Sequence, residues 1–353
     1  MGCLIMPKAC WCGNIELLPY SEDYNRCDAC HTLVNRGDFD ESICNVQDES
    51  NDLYGANYWE DYILKHAGIP TLYELHDLYL TDRCIYWLQI LTKYLPPPAS
   101  IVEIGCGMGQ MLYLAKQAGF KGIGVEPSPK ICDYAQRVFG VDLLCGTVDD
   151  IEGVYDAVLC MDLVEHIIDP IAFMQRVMQH SNSNSLLMIQ TPFYNPDMDF
   201  NQMRIISPRF EKQMLRNQHI FIFSRQSIQM LLHQTGFSNI QFEPAVFGDD
   251  YDMFLVASMS PLVEHEQSYM LETLANQQPG GWLIRAMCEM HKMYRNVQEQ
   301  LNDTQHKLND TQHRLSATHD ELLAVYNSRS WRITKPLRYA CEMGRRMVQV
   351  IRR

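Results

Sequence analysis

The chain has 353 residues, 46% hydrophobic and 20% charged, a soluble globular balance long enough for two or three domains. A net charge of −14 argues against general nucleic-acid binding, and no run of about 18 apolar residues exists to span a membrane. The N-terminal residues lack the apolar core of a secretory leader, so the expectation is a cytoplasmic protein whose thirteen cysteines are mostly reduced.

Residues 1–48 are poor in long apolar runs and hold Cys3, Cys10, Cys12, Cys27, Cys30 and Cys44. Cys10-Trp-Cys12 and Cys27-Asp-Ala-Cys30 are two close pairs, each able to sit on one tight turn, as in a zinc ribbon. The first pair is C-x-C rather than C-x-x-C, and Cys3, His31 and Cys44 are alternative ligands. Reduced cysteines packed as small hydrophobes are the competing reading. So small a core needs a staple, which favours zinc held by Cys10, Cys12, Cys27 and Cys30 in a role outside catalysis, such as docking a substrate or partner.

Residues 52–260 alternate β-rich runs with amphipathic segments, the pattern of a mostly parallel α/β sheet. Strands are predicted at 101–104, 122–126, 142–145, 157–161, 185–190, 240–243 and 252–257, with helices at 108–118, 128–139, 171–180 and 224–235. The last two strands lack an intervening helix, so the final one pairs antiparallel. Residues 261–281 form a linker. Residues 282–327 carry a heptad pattern, with Leu301, Leu308, Leu315 and Leu322 at one position and Thr304, Thr311, Thr318 and Val325 three later. This predicts a self-associating coiled coil; an amphipathic helix folded against its own domain is the alternative. The tail, 328–353, has eight basic residues and Glu342 as its one acid, giving +7 and leaving −21 on the rest. Trp331, Ile333, Leu337, Tyr339, Met343, Met347, Val348 and Ile351 interleave with these charges. Such a helix suits an anionic membrane surface, an acidic partner or the chain's own acidic body.

The stretch IVEIGCGMGQ, 101–110, joins a strand to Gly105, Gly107 and Gly109. A dinucleotide loop spaces its glycines G-x-G-x-x-G. Here the spacing is tighter, and Glu103 stands two residues before the first glycine, where a carboxylate repels a pyrophosphate but suits a cationic ammonium. Glu126 ends the second strand, where a carboxylate reaches ribose hydroxyls. Asp149-Asp150 follow the third strand, and Met161-Asp162-Leu-Val-Glu165-His166 end the fourth. With these residues the chain resembles class I S-adenosylmethionine (AdoMet)-dependent methyltransferases over roughly 52–260. The resemblance implies a seven-stranded Rossmann-like sheet and a donor site shaped by Glu103, Gly105, Gly107, Gly109, Glu126, Asp149 and Asp162.

Asp162, Glu165 and His166, at i, i+3 and i+4, are expected on one face at the opening of a helix. They read as helix-start chemistry, or as a general base, His166, with a pKa near neutrality. The resemblance to ubiquinone-pathway O-methyltransferases adds a third reading, a divalent metal on all three. His219 is a further residue facing the acceptor. The cysteine segment joined to this core, Ser21-Glu-Asp-Tyr24, Cys84-Ile-Tyr-Trp-Leu88, Tyr251-Asp-Met-Phe254 and the ending Ser328-Arg-Ser-Trp331-Arg-Ile-Thr-Lys-Pro336-Leu-Arg338 are similar to bacterial sugar-modifying and surface-polysaccharide assembly proteins. That similarity implies O-methylation of a sugar or polysaccharide precursor at the inner face of the cytoplasmic membrane. A quinone- or natural-product-type O-methyltransferase, a non-catalytic scaffold of a glycan-assembly complex and a nicotinamide oxidoreductase are the competing functions.

Overall fold

In the computed structural model, which describes residues 9–39, 46, 52, 55, 79–216, 218–245 and 251–351, the first 291 residues hold two sheets in one compact unit. Cys3 and Cys44 lie outside the described residues. In chain order the described elements begin with β1 (Leu17–Pro19), β2 (Tyr24–Cys27) and β3 (Leu33–Asn35), a short antiparallel meander. A π-helical turn, Tyr79–Cys84, leads into α1 (Ile85–Tyr94). The alternating core follows: β4 (Ser100–Ile104), α2 (Gln110–Gln117), β5 (Lys121–Glu126), α3 (Pro129–Phe139), β6 (Leu143–Cys145), β7 (Tyr155–Met161), α4 (Pro170–Gln179) and β8 (Ser181–Pro192). Then come α5 (Phe200–Ile206), α6 (Phe210–Gln213), β9 (Phe221–Ile222), α7 (Arg225–Gln234), β10 (Asn239–Glu243) and β11 (Asp252–Ser258).

The large sheet has the order β10-β11-β8-β7-β4-β5-β6, with β11 antiparallel to both β8 and β10 and the inner strands parallel. All seven predicted strands appear, and the predicted antiparallel finish is present. The inner strands are near-continuous apolar runs because helices cover both faces of a parallel sheet. Helix ends follow local chemistry: Ser128 caps α3 and Ser224 caps α7, each accepting from the third residue of its helix. Cys132 and Cys145 face each other where β6 ends beside the first turn of α3, with Cα atoms 6.1 Å apart.

The meander is not confined to its own chain segment. Its outer strand β3 pairs with β9 from 187 to 189 residues further on, Leu33 opposite Ile222 and Val34 opposite Phe221. Cys10, Cys27, Cys30 and Val34 accordingly share one apolar core with Val102, Ile104 and Val158 of the large sheet. A helix at α8 (Gln267–Ala275) occupies part of the predicted linker. The long helix α9 (Gly281–Asn327) begins inside the compact unit, where Ile284, Cys288 and His291 are buried.

A second unit, Lys292–Arg353, contains the rest of α9, then α10 (Arg329–Ile333) and α11 (Lys335–Ile351). Leu301, Leu308, Leu315 and Leu322 are all exposed there. Among the described residues no helix is long and apolar enough to cross a membrane.

Candidate functional site

Where β4 ends, the chain turns through Gly105, Gly107 and Gly109 at φ of 69°, 52° and 77°. This left-handed region is one glycine enters without a Cβ penalty. At Gly109 a Cβ would also stand 2.8 Å from Val141 Cγ2. The neighbouring strand holds the loop: the Gly107 N–H donates to Glu126 Oε2 and the Ser128 N–H to Oε1, each at 3.1 Å. Above the carboxyl ends of β4, β5 and β7, where open α/β sheets bind ligands, lies a cavity of about 530 Å³. Glu103, Gly105, Gly107, Glu126, Asp149, Asp162 and His166 all line it. Gly109 is not on the lining, yet its backbone turn starts α2.

One side of the cavity holds polar atoms without partners. Among the described residues, Glu103 Oε2 and Gln110 Nε2 are buried and find no hydrogen-bond partner. Burial pushes the Glu103 carboxyl up to about 8. Orphaned buried groups of this kind call for a polar ligand, and an ammonium-bearing amino acid moiety meets both the acid and the amide. Further round, Asp149 pairs with Arg176 at 3.0 Å, while Asp150 caps the short turn that begins after Thr147. Of the acidic pair, only Asp149 reaches the cavity.

The opposite side comes from separated elements. Asp162, at φ 51°, is gripped by Arg83 Nη1 at 2.6 Å and Gln190 Nε2 at 2.9 Å, and Trp87 Nε1 donates to Gln190 Oε1 at 2.9 Å. A non-glycine residue held at positive φ is a strained position of the sort found at functional sites. Arg83, Trp87 and Gln190 went unpredicted. The one sequence signal was Gln190, a polar residue ending the apolar run of β8.

The shared face predicted for Asp162, Glu165 and His166 does not form. Residues 164–166 make a 3-10 turn, and α4 starts only at Pro170, with Asp169 as its cap accepting from the Ala172 N–H at 2.9 Å. An Asp-Pro pair is a strong start signal, so the helix begins there. Asp162 turns to Arg83, whereas Glu165 is buried and accepts from Thr191 Oγ1 at 2.9 Å. In place of Asp162, His219 joins the pair: Glu165, His166 and His219 bring their donor atoms within 4.8 Å of one another. The two rings meet edge-to-face with centroids 4.7 Å apart. The Nδ1 of His166 donates to the Gln218 carbonyl at 3.1 Å, and that of His219 to the Gln213 carbonyl at 2.7 Å, leaving each Nε2 as an acceptor. Such a set suits a proton acceptor or a divalent cation. His166 reaches the cavity and His219 does not. Burial lowers both imidazoles, His166 to about 4 rather than near neutrality, and raises the Glu165 carboxyl.

The four predicted cysteine ligands also meet. Cys10 and Cys30 sulfurs are 3.5 Å apart, Cys12 and Cys27 3.6 Å, and all four lie within 4.8 Å of one another. The short C-x-C knuckle is accommodated by Gly13 at φ 84°, whose N–H donates to the Cys10 carbonyl at 2.8 Å. His31 is not in the group.

Residues 76–242 match a family model described as a methyltransferase domain. The ubiquinone biosynthesis O-methyltransferase of Bradyrhizobium diazoefficiens is 31% identical over 98 residues, 26% of this chain and 39% of the relative. That of Rhodopseudomonas palustris is 29% identical over 142 residues, 38% of this chain and 56% of the relative. The chain thus spans about two fifths to just over half the length of these relatives. Among solved structures, human N-acetylserotonin methyltransferase in complex with SAM is similar at 14% identity and a TM-score of 0.45, covering 59% of each chain. With the donor motifs in register around one cavity, residues 76–242 are a class I AdoMet-dependent methyltransferase domain.

Proposed function

We propose that the chain transfers the methyl group of AdoMet to a hydroxyl of a sugar or polysaccharide precursor. The observation that carries the donor half is the unpaired Glu103 oxygen beside the glycine turn, a buried acid placed to receive an ammonium. Glu126 stands at the end of β5 to receive ribose hydroxyls, and Asp149 borders the adenine end. Bound AdoMet supplies an already activated methyl, so the chain's task is alignment more than activation. Arg83 and Gln190 hold Asp162 at the other wall, and His166 Nε2, neutral at pH 7, would take the hydroxyl proton as the acceptor oxygen bonds to the methyl carbon and the methyl–sulfonium bond breaks, leaving the neutral thioether S-adenosylhomocysteine. Calorimetric titration with AdoMet tests the donor. No binding would promote the scaffold reading, and NAD binding in its place would promote the oxidoreductase. Labelled AdoMet offered to nucleotide sugars, lipid-linked glycans and polyprenyl phenols separates the sugar acceptor from the second reading, a quinone-type phenol, which the names of the ubiquinone-pathway relatives favour.

The cysteine cluster fits structural zinc. Tetrahedral zinc with bonds of about 2.3 Å separates its sulfurs by about 3.8 Å, and the two short pairs at 3.5 and 3.6 Å need little adjustment. Metal analysis of the purified chain and of a Cys27→Ser, Cys30→Ser variant decides this.

In the second unit the heptad stripe supports self-association. Thr304, Thr311 and Thr318 each donate their hydroxyl to the carbonyl four residues back, at 2.7, 2.7 and 2.9 Å, so that these layers offer a methyl rather than a free hydroxyl. Sedimentation equilibrium of wild type against Leu308→Asp, Leu315→Asp reads it. On α11, Leu337, Ala340, Met343 and Gly344 recur at helical spacing opposite Lys335, Arg338, Arg345 and Arg346, with Leu337, Tyr339 and Met343 exposed. This segregation fits an anionic membrane surface. Loss of cosedimentation with phosphatidylglycerol vesicles on deleting residues 329–353 is the expected result.

A further inference from the structure

We propose that the cysteine-rich segment positions the cavity wall that carries His166, acting through Asn35 and Tyr24. Its kinetic consequence rests on the methyl-transfer reading above, and its structural content rests on contacts alone.

The connection starts at the cysteines. Past the Cys27–Cys30 turn, Thr32 is fixed twice: its carbonyl accepts from the Cys27 N–H at 2.8 Å and its hydroxyl from Trp11 Nε1 at 2.9 Å. The next residue opens β3, which pairs with β9 and ends at Asn35, whose N–H donates to the Ile220 carbonyl at 2.9 Å. The Asn35 side chain is fully buried. Its Oδ1 accepts from the Gly37 N–H at 2.8 Å, and its Nδ2 donates to the carbonyls of Arg216 at 2.9 Å and His219 at 2.8 Å. The Tyr24 hydroxyl, buried beside it, donates to the same His219 carbonyl at 2.8 Å.

The other side of that stretch is the site. The Ile220 N–H donates to the Glu165 carbonyl at 2.8 Å, the Gln218 carbonyl accepts from His166 Nδ1, and the His219 ring packs on His166. Residues before β9 are therefore held between two partners: Asn35 and Tyr24 on one flank, the turn bearing Glu165 and His166 on the other. Buried carbonyls outside a helix or sheet need donors from elsewhere, and the cysteine segment provides them here. Without those donors the carbonyls reopen towards water, and the Gln218 carbonyl that sets the tautomer and angle of His166 goes with them. Asn35 is on this account a positioning residue, and the cysteine cluster is the anchor of its strand.

The test is Asn35→Asp in the full chain, an isosteric change that keeps the acceptor towards Gly37 and removes both donors. Hydrogen exchange at the Ile220 and His166 amides should quicken by roughly tenfold, with kcat down about tenfold or more and AdoMet affinity unchanged. Tyr24→Phe, which removes one hydroxyl and keeps the ring, should shift the same amides in the same direction by less, and it decides the matter if Asn35→Asp does not fold. Unchanged exchange at Ile220 and His166 in folded variants overturns the proposal, as does a loss of kcat without any change in exchange. If wild type takes up no AdoMet, the methyl-transfer reading fails while the exchange measurements still decide the positioning.

Discussion

The two walls of the cavity are built in opposite ways. The wall proposed to hold the donor is local: Glu103, the three glycines and Gln110 fall within eight consecutive residues, and Glu126 reaches back to the loop through the Gly107 N–H. The wall proposed to face the acceptor draws Arg83, Asp162, His166 and Gln190 from three separate segments, with His166 set by a carbonyl 52 residues away. A local wall tolerates change elsewhere in the chain, whereas an assembled wall depends on the packing of distant pieces.

The sharpest way to separate the walls is His166→Ala. It should lower kcat by about 10²- to 10⁴-fold while leaving the AdoMet dissociation constant unchanged; equal loss of both would make His166 a donor-wall residue. The next largest effect is on stability. An unfolded imidazole takes a proton near pH 6.5, whereas buried His166 resists to about 4. Between those values the unfolded state holds the extra proton, so stability is complete above pH 6.5 and lost as pH falls towards 4, by about 3 kcal/mol for this one group. Thermal melts from pH 7 to 4 should show the decline, and His166→Gln should flatten it. Because the neutral ring is the acting form, kcat/KM should also fall as pH drops through about 4.

On the donor wall, Glu103→Gln should weaken AdoMet binding about tenfold to a hundredfold and leave acceptor KM alone. The Glu103 carboxyl is raised to about 8, so it is largely protonated at pH 7 in the free protein, and an ammonium beside it favours ionisation. Titrations at pH 7 in buffers of different ionisation enthalpy should therefore report release of approaching one proton, about the limit for a single group. Glu103→Gln should abolish that release. The smallest expected effect is that of Arg83→Ala, which removes a partly exposed ion pair with Asp162. Acceptor KM should rise about fivefold or less, and a comparable rise in the AdoMet constant would mean that the two walls are not separable.

How much of this was legible in the sequence follows the same division. The seven strands, their antiparallel end and the glycine turn with its flanking acids were readable because each rests on a short local pattern: a β-branched run, a glycine spacing, an acid at a strand end. The same is true of the Ser224 and Gly236 bounds of α7 and of the uninterrupted heptads of α9. Reading failed where two local signals competed. Glu165 and His166 looked like the opening of a helix, yet Asp169-Pro170 supplied the stronger start and left them in a 3-10 turn. Arg83 lay in the polar Thr81-Asp82-Arg83 turn and Trp87 in the apolar helix that follows, with nothing to mark either as a cavity residue.

By itself the sequence determined the sheet, the glycine turn with its flanking acids and the two close cysteine pairs along the chain, because near neighbours carry each of those patterns. Tertiary structure alone decided that His219 replaces Asp162 beside Glu165 and His166, that Asp162 belongs to Arg83 and Gln190, and that the cysteine segment completes a sheet with β9. These are contacts across 28 to 189 residues, and satisfying buried carbonyls and apolar surface at that range is settled only when the chain packs.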